Sequence, residues 1–307
     1  MANRKPIDQS EILIAGPARN IAAHINQELD GLYQAMRDFK CIHGLVVESD
    51  SDDGTTQQLA ALKLRLPNFN YISFGRLIKQ IPMRTARLAY ARNRIVTEVQ
   101  NNPRYARVDF IAMADLDGIN RHISTQSITQ CWEVAEDWDV ITANQANTYY
   151  DIWTLRHADW SPVDCMVQMH KLEPILGESA AQNLAVQAKQ VHLNANQGMI
   201  EVDSAFGGLG IYRRAAFLAG RYSGVNAAEQ EESDHIAFHA DLRKQGYRIY
   251  INSALINSAS HLDPPPPPIA KKHTFWSIAA IRWLGGLLFG HKRFNNCLLY
   301  TSDAADE

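Results

Sequence analysis

The sequence predicts an α/β protein built on a mainly parallel, Rossmann-like sheet with helices on both faces. From residue 11 onward, short apolar runs rich in β-branched residues alternate with longer amphipathic runs. Each amphipathic run is long enough to form a crossover between parallel strands. The chain has 307 residues, of which 46% are hydrophobic and 21% charged, so it can bury a full core. Ligands of such sheets bind at the carboxyl ends of the strands, where we therefore expect the functional residues.

The alternation is regular in the first half of the chain. It predicts strands at 12–15, 42–48, 70–74, 108–113 and 140–142, separated by helices at about 21–39, 56–66, 83–100 and 125–136. After about residue 148 the pattern becomes irregular. It predicts a helix near 178–190, a strand and turn at 200–212, a helix at 233–245, and strands at 248–251 and 254–257. We expect residues 1–262 to form one catalytic domain.

Five consecutive prolines, at 264–268, indicate that the chain leaves the sheet and continues as a linker over 263–274. An apolar helix is then predicted over 275–296. Its segment 275–290 carries Arg282 as its one charge, lies between basic residues, and is shorter than the roughly 20 residues that span a bilayer. It can dock on the domain or lie in the plane of a membrane as a peripheral contact. Residues 297–307 resemble the translation of a sequencing adapter, so we expect the natural C-terminus to be missing.

Charge and cysteine content exclude several classes of protein. Lys and Arg number 30 against 33 Asp and Glu, which argues against a dedicated nucleic-acid binder. The four cysteines are scattered and form no C-x-x-C pair, so the sequence contains neither a zinc knuckle nor a redox motif. The first eleven residues lack the apolar core of a signal peptide. We expect a cytoplasmic protein, with any membrane contact on the inner face through 275–290.

Two carboxylates, Asp115 and Asp117, follow the apolar run 110–114 with one residue between them. Side chains that leave a strand end in this way can face the same ligand. Carboxylate oxygens suit Mg²⁺ or Mn²⁺ bridging a diphosphate. The alternative is that the pair merely caps the next helix.

A second acidic cluster, residues 48–55, follows the second predicted strand. Glu48 and Asp50 can accept hydrogen bonds from a base or a ribose hydroxyl, whereas Asp53 or Thr55 can cap the following helix. Capping accounts for one or two of these residues but not for the whole cluster.

The helix predicted at 83–100 carries an apolar stripe and a basic stripe. Leu88, Ala91, Ile95 and Val99 recur at helical spacing and should face the core. The basic stripe consists of Arg84, Arg87 and Arg94. It is either a solvated face or a cluster that offsets the charge of a diphosphate.

The order and spacing of these motifs resemble the glycosyltransferase A (GT-A) fold. More narrowly, the chain resembles the fungal capsule-associated mannosyltransferase family over residues 12–261. The resemblance is carried by residues 48–55, Arg92-Asn93, the Asp-Leu-Asp-Gly-Ile-Asn run at 115–120, and 150–153 with Leu155-Arg156. It implies an enzyme that moves a sugar, mannose-like, from a nucleotide diphosphate donor to a hydroxyl on a glycan or lipid-linked acceptor.

The resemblance also implies roles for individual residues. The implied donor-binding residues are Glu48, Asp50, Arg87, Arg92, Asn93 and Asp115. The implied ligands of Mn²⁺ or Mg²⁺ are Asp115, Asp117 and His261. The glycine loop on the acceptor side corresponds to Gly207 and Gly208 within 206–212. Asp234 stands where the family has a catalytic glutamate, and Glu231 or Glu232 is close enough along the chain to take its place.

Two other functions compete with this one. A sugar-nucleotide pyrophosphorylase should carry a glycine-rich, basic loop directly after the first strand, but residues 16–20 contain one glycine and one arginine. A non-catalytic nucleotide-sugar-binding protein with a degenerate site is the second. The intact Asp-x-Asp, the histidine and the late carboxylate argue against it.

Overall fold

The computed structural model describes residues 4–259 and confirms the mixed α/β architecture. A single eight-stranded sheet has the order β3-β2-β1-β4-β7-β5-β8-β6. Its strands are β1 (Glu11–Ala18), β2 (Cys41–Glu48), β3 (Phe69–Ser73), β4 (Phe110–Ala114), β5 (Val140–Gln145), β6 (Met199–Val202), β7 (Leu209–Arg213) and β8 (Ile249–Ser258). Strands β6 and β7 run antiparallel to their neighbours, and the other pairings are parallel.

The helices are α1 (Ile25–Ala35), α2 (Thr55–Arg65), α3 (Arg84–Asn101), α4 (Thr125–Glu133), α5 (Cys165–Leu176), α6 (Glu178–Ala185), α7 (Arg214–Ala219) and α8 (Asp234–Lys244). The chain divides into two compact units. Among the described residues, one unit comprises 4–156 with 190–259 and holds the sheet. The other comprises 157–189 and holds α5 and α6, with the Asp164 carboxylate capping α5 by accepting from the Met166 and Val167 amides.

The central strands are buried on both faces, which is why they read as continuous apolar runs in the sequence. Ile12, Leu13 and Ile14 of β1 are fully buried. The core continues into edge-to-face contacts among aromatic rings, with Phe110 and Trp138 both packing on Trp132. These contacts hold α4 and the loop after it against the sheet.

Several predicted boundaries are wrong. The predicted helix 21–39 is shorter, because Asn20 adopts a left-handed conformation and the chain turns before α1 begins at Ile25. The strands predicted at 248–251 and 254–257 are one strand, β8. Its polar centre, Asn252 and Ser253, is buried where the pairing with β5 shifts register. Helices α5 and α7 were not predicted.

The predicted linker 263–274, the predicted helix 275–296 and the segment 297–307 lie outside the described residues. None of the helices within 4–259 combines the length and apolar character needed to cross a bilayer.

The sheet collects polar residues at one edge. The carboxyl ends of the parallel strands meet there, and the antiparallel β7 begins there, directly after the glycine pair 207–208. Residues that are far apart along the chain, from the end of β1 at Ala18 to the end of β8 at Ser258, thus lie around one edge.

Candidate active site

The centre of this edge is a buried arginine held between two aspartates. Arg92, on α3, donates from Nη1 to both carboxylate oxygens of Asp234, at 2.7 and 2.6 Å. Its Nη2 donates to Asp115 Oδ1 at 2.9 Å. The side chains of Arg92 and Asp234 are 4% and 5% exposed, whereas that of Asp115 is 34% exposed. The pair therefore forms a fixed, water-excluded support behind the more accessible Asp115.

Arg92 is also enclosed by aromatic rings. Its guanidinium lies 5.4 Å from the ring centroid of Phe206 and 5.9 Å from that of Tyr222, distances at which a cation is attracted to a ring face. The charges of Asp234 and Asp115 raise the pKa of Arg92 against the opposing effect of burial. Arg92 is therefore a permanent positive charge at this edge.

Asp117 lies beside this group and is exposed. Its carboxylate has no hydrogen bond or ion pair with any of the residues 4–259. Asp115 and Asp117 together present hard oxygen ligands to solvent, which is the donor type that Mg²⁺ and Mn²⁺ prefer. The third predicted ligand, His261, lies outside the described residues.

Negative charge is in excess here. Burial raises the pKa of Asp115 to about 7, Arg92 opposes this shift, and the charges of Asp117, Asp151 and Asp234 add to it. Asp151, within the run 150–153, is a fourth acid at this site that the sequence-based prediction does not include. Burial raises the pKa of Asp151 above its usual value. Hydrogen bonds to its carboxylate, chiefly from the Gly207 amide, oppose this rise. Arg92 pairs with Asp115 and Asp234, while the charges of Asp117 and Asp151 also act on Asp115, so a divalent cation would offset an excess of negative charge.

The glycine loop is tied to both aspartates. The Gly207 amide donates to Asp151 Oδ2 at 3.0 Å, and the Gly208 carbonyl accepts from the Asp115 amide at 2.9 Å. Both glycines have positive φ, 64° and 87°. A Cβ at Gly207 would meet the Ala143 carbonyl oxygen at 2.7 Å. The predicted loop is therefore close-packed against the Asp-x-Asp segment, and its backbone geometry requires glycine.

A buried amide network, which the sequence analysis missed, supports these loops from behind. Asn257 Nδ2 donates to Asn120 Oδ1 at 2.9 Å and to the Gly207 carbonyl at 2.8 Å. Asn120 Nδ2 donates to the Asp115 carbonyl at 2.8 Å and to Glu28 Oε1 at 2.7 Å. Burial raises the pKa of Glu28, and the Asn120 bonds oppose that shift. The sequence shows Asn120 after β4 and Asn257 near the end of β8, but the contact between them is set by the arrangement of the strands in the sheet.

The carboxylates after β2 are engaged within the chain. Glu48 is 1% exposed, and its two oxygens accept from the Ser51 amide and the Ser73 hydroxyl. Asp50, at a φ of 60°, accepts from the Ile78 amide at 2.9 Å. Both side chains thus shape the loops that follow β2 and β3, and their direct contact with a donor remains a prediction.

The basic stripe predicted on α3 is divided in the structure. Arg87 is 7% exposed and donates to the Ile81 and Pro82 carbonyls, with its Nε 3.7 Å from Asp50 Oδ2. Arg84 and Arg94 are exposed, and Arg94 pairs with Glu98 on its own helix. No single basic face is formed, because two buried aspartates draw Arg87 and Arg92 inward.

The remaining predicted residues flank α8 and α3. Asn93 Nδ2 donates to the Tyr222 carbonyl and its Oδ1 accepts from the Tyr222 amide, which fixes Tyr222 next to Arg92. Glu232 Oε1 lies 3.8 Å from Arg156 Nη2, and Glu231 accepts from the Thr85 hydroxyl. Asp234 is the acid that reaches the central cluster, at the first position of α8.

Comparisons with known proteins give structural likenesses alone. No protein-family model matches the chain, and neither does any curated protein. The mannosyltransferase PcManGT from Pyrobaculum calidifontis is 15% identical, with 91% of this chain and 64% of that one covered at a TM-score of 0.46. TarS from S. aureus is 14% identical, with 81% and 60% covered at 0.45. Glucosyl-3-phosphoglycerate synthase from M. tuberculosis is 12% identical, with 81% and 69% covered at 0.40.

These similar structures are GT-A glycosyltransferases. The chain spans 64% and 60% of the length of the first two. At these identities and TM-scores the likeness assigns neither a substrate nor a mechanism to the chain. None of the comparisons links it to the fungal capsule-associated family.

Proposed function

We propose that the chain is a metal-dependent glycosyltransferase that moves a sugar from a nucleotide diphosphate donor to a hydroxyl acceptor. One observation carries this proposal. Asp115 and Asp117 present open oxygen ligands at the carboxyl edge of the sheet, next to a buried Arg92–Asp234 pair and a close-packed glycine loop that fixes the backbone of Asp115. That combination suits a metal-bound diphosphate with a sugar beside it.

The donor set fits Mn²⁺ or Mg²⁺. Asp117 would be one ligand because it is exposed and its carboxylate has no hydrogen bond or ion pair within 4–259, and Asp115 would be a second through the oxygen that Arg92 does not bind. When bound, the ion supplies a Lewis acid that stabilises charge on the departing diphosphate. His261 remains the proposed third ligand from the sequence.

The chain's own groups would bind and orient the substrates. The Arg92 guanidinium holds Asp115 in place through Nη2, because its Nη1 is anchored by both carboxylate oxygens of Asp234. Both Asp234 oxygens accept from Arg92 and the side chain is 5% exposed. This supports a positioning role for Asp234 in place of the catalytic role predicted from the sequence. Glu232 then stays a candidate for the acid that contacts the acceptor.

The donor sugar follows from the resemblance rather than from any side chain. Mannose is the sugar that the sequence motifs imply. PcManGT was solved with GDP-Man and Mn²⁺, and TarS with UDP-GlcNAc. A donor screen should therefore contain both classes of nucleotide sugar.

The test is metal-dependent release of nucleotide diphosphate. The full chain is incubated with GDP-mannose, UDP-glucose or UDP-N-acetylglucosamine, with Mn²⁺, Mg²⁺ or a chelator. We expect release with one donor class, lost in the chelator and reduced by about a thousandfold in Asp117→Asn, since metal contributes several kcal/mol. Asp8→Asn, an exposed acid before β1, is the matched control and should keep full activity. Release that persists in the chelator, or in a folded Asp117→Asn, would overturn the metal mechanism.

A further inference from the structure

A second cluster of metal-ligating side chains lies at the opposite edge of the sheet. Glu11 and Cys41 are paired residues at the amino ends of β1 and β2, and His43 follows Cys41 by two positions on the same face of the sheet. β1 runs eight residues from Glu11 to Ala18, so this cluster is roughly 20 Å from the candidate active site. It is independent of the proposed function.

Two separations among the three ligand atoms agree with those expected in a tetrahedral metal site. Cys41 Sγ lies 3.5 Å from His43 Nε2, and His43 Nε2 lies 3.3 Å from Glu11 Oε2. All three lie within 4.8 Å of one another. In a tetrahedral zinc site the usual bond lengths place a sulfur and a nitrogen ligand about 3.5 Å apart, and a nitrogen and an oxygen ligand about 3.3 Å apart. The two measured separations match these values.

The hydrogen-bonding of His43 supports the same interpretation. The ring is 8% exposed, and its Nε2 faces both Cys41 and Glu11. Nδ1 is buried and has no hydrogen-bond partner among residues 4–259. One proton on Nε2 cannot satisfy both neighbours, whereas a cation bound by the Nε2 lone pair would contact both of them. The neutral tautomer protonated at Nδ1 would set the Nε2 lone pair against the Glu11 carboxylate.

The carboxylate of Glu11 is oriented so that one of its oxygens can act as a ligand. Its Oε1 forms an ion pair with Arg107, whose Nε lies 3.2 Å away, and its Oε2 faces His43. Such outer contacts orient ligating carboxylates in metal sites. Glu11 also lines a cavity of about 480 Å³ together with Lys40 and Arg107.

We propose that Glu11 Oε2, Cys41 Sγ and His43 Nε2 bind a zinc ion that joins β1 to β2 at the amino edge of the sheet. Zinc is the metal that best matches one sulfur, one nitrogen and one oxygen ligand in tetrahedral geometry. The ion binds the thiolate, so the Cys41 proton passes to solvent. Water completes the fourth position. A search for C-x-x-C pairs in the sequence misses this site, because its ligands come from two different strands that are brought together by their pairing in the sheet.

Cobalt(II) is the probe, since it takes the same geometry and reports its ligands by absorption. The full chain is stripped with a chelator and titrated with Co²⁺. We expect a thiolate-to-cobalt charge-transfer band and the intense visible bands of a four-coordinate ion, both displaced by Zn²⁺. Cys41→Ser should abolish the charge-transfer band, and His43→Gln should weaken Zn²⁺ binding by about tenfold or more. Circular dichroism checks that each variant is folded.

The controls test whether the charge-transfer band comes from this site and not from another thiol or from the candidate active site. Cys165→Ser and Cys297→Ser should keep the band. Asp117→Asn should also keep it, even though that variant is expected to lose transferase activity. The zinc site is refuted if the folded wild-type chain gives no charge-transfer band with Co²⁺, or if the band survives in Cys41→Ser. The wild-type titration decides the question even if a variant fails to fold.

Discussion

Arg92 and Asp234 form a two-point ion pair across 142 residues of sequence, with both contacts from Arg92 Nη1 at 2.7 and 2.6 Å. The pair is buried, so its attraction must offset a large desolvation cost, and removing one partner leaves an uncompensated charge. Asp115 shares the same guanidinium. The pair therefore connects α3, α8 and the end of β4, and the stability of the fold and the geometry of the candidate site depend on the same contacts.

The first prediction concerns this pair. Arg92→Met should lower the free energy of unfolding by about 3–5 kcal/mol, because Asp234 is left buried and unpaired. The double variant Arg92→Met/Asp234→Leu should recover part of that loss. Urea unfolding measures the cycle. Arg94→Met removes an exposed arginine paired only with Glu98 and should change stability by less than about 0.5 kcal/mol. Strictly additive losses in the double variant would show that the two side chains are not coupled.

The second prediction concerns the glycine loop. Gly208 and Gly246 have φ of 87° and 85°, but a Cβ at Gly208 would lie 2.8 Å from Ile119 Cγ2, whereas at Gly246 nothing lies within 4 Å. Alanine at either position incurs the same left-handed strain, about 1–2 kcal/mol. Gly208→Ala should cost a further 1–3 kcal/mol or so from crowding.

Activity separates the two variants further. Gly208→Ala should reduce nucleotide diphosphate release, because the Gly208 carbonyl holds the Asp115 amide. Gly246→Ala, at the end of α8, should leave release unchanged. Equal thermal destabilisation in the two variants would mean that the loop relaxes around the added methyl group.

The third prediction concerns Glu48. Both of its oxygens accept hydrogen bonds within the chain, so Glu48→Ala should lower stability by about 1–3 kcal/mol by leaving buried donors unpaired. Glu48→Gln keeps the shape of the side chain and removes its charge. In both variants we expect KM for the nucleotide sugar to rise more than kcat falls, since the loop after β2 is expected to contact the nucleoside. A loss confined to kcat would place the nucleoside elsewhere.

The sequence predicts the parts of the site that are local. Asp115 and Asp117 follow an apolar run, and a run of that kind must end at the edge of a buried sheet, so their position follows from the alternation alone. The position of the glycine pair 207–208 can be predicted in the same way, because the pair directly precedes the apolar run of β7. These features depend on neighbours within about ten residues, which is the range over which a sequence pattern is informative.

Long-range partners could not be predicted in this way. The helical pattern of α3 groups Arg87 with Arg84 and Arg94, on the assumption that charged residues face solvent. In the structure Arg87 and Arg92 are buried, because Asp50 and Asp234 compensate their charge. Nothing along the chain specifies that Asp234, rather than Glu231 or Glu232, faces α3. That choice depends on the packing of α8 against α3.

The last prediction concerns a buried histidine behind the site. His239 is fully buried on α8, where Nδ1 hydrogen-bonds with the Ser204 hydroxyl at 2.8 Å and Nε2 with the Tyr212 hydroxyl at 2.9 Å. Burial lowers its pKa from 6.5 to about 3. The neighbouring His235 also has a lowered pKa, through burial and the charge of Arg92. Both imidazoles are therefore neutral in the folded protein at neutral pH.

The sign of the pH effect follows from these shifts. The unfolded chain takes up a proton at His239 below about pH 6.5, whereas the folded chain does so only near pH 3. The stability contributed by a neutral His239 is therefore complete above about pH 6.5, and it falls by about 1.4 kcal/mol per pH unit as the pH decreases toward 3. His239→Gln keeps a donor and an acceptor but does not titrate, so its free energy of unfolding should fall less steeply with decreasing pH.

Urea unfolding at a series of pH values between neutral and mildly acid measures this slope. His170→Gln, at an exposed position of α5, is the matched control and should follow the wild type, because its side chain stays in water in both states. If the free energy of unfolding of His239→Gln changed with pH as steeply as that of the wild type, the imidazole would take up its proton without unfolding the protein. That result would contradict the buried Ser204–His239–Tyr212 arrangement. A flatter slope in that variant, with the wild-type slope kept in the control, would assign this part of the acid sensitivity to one buried ring.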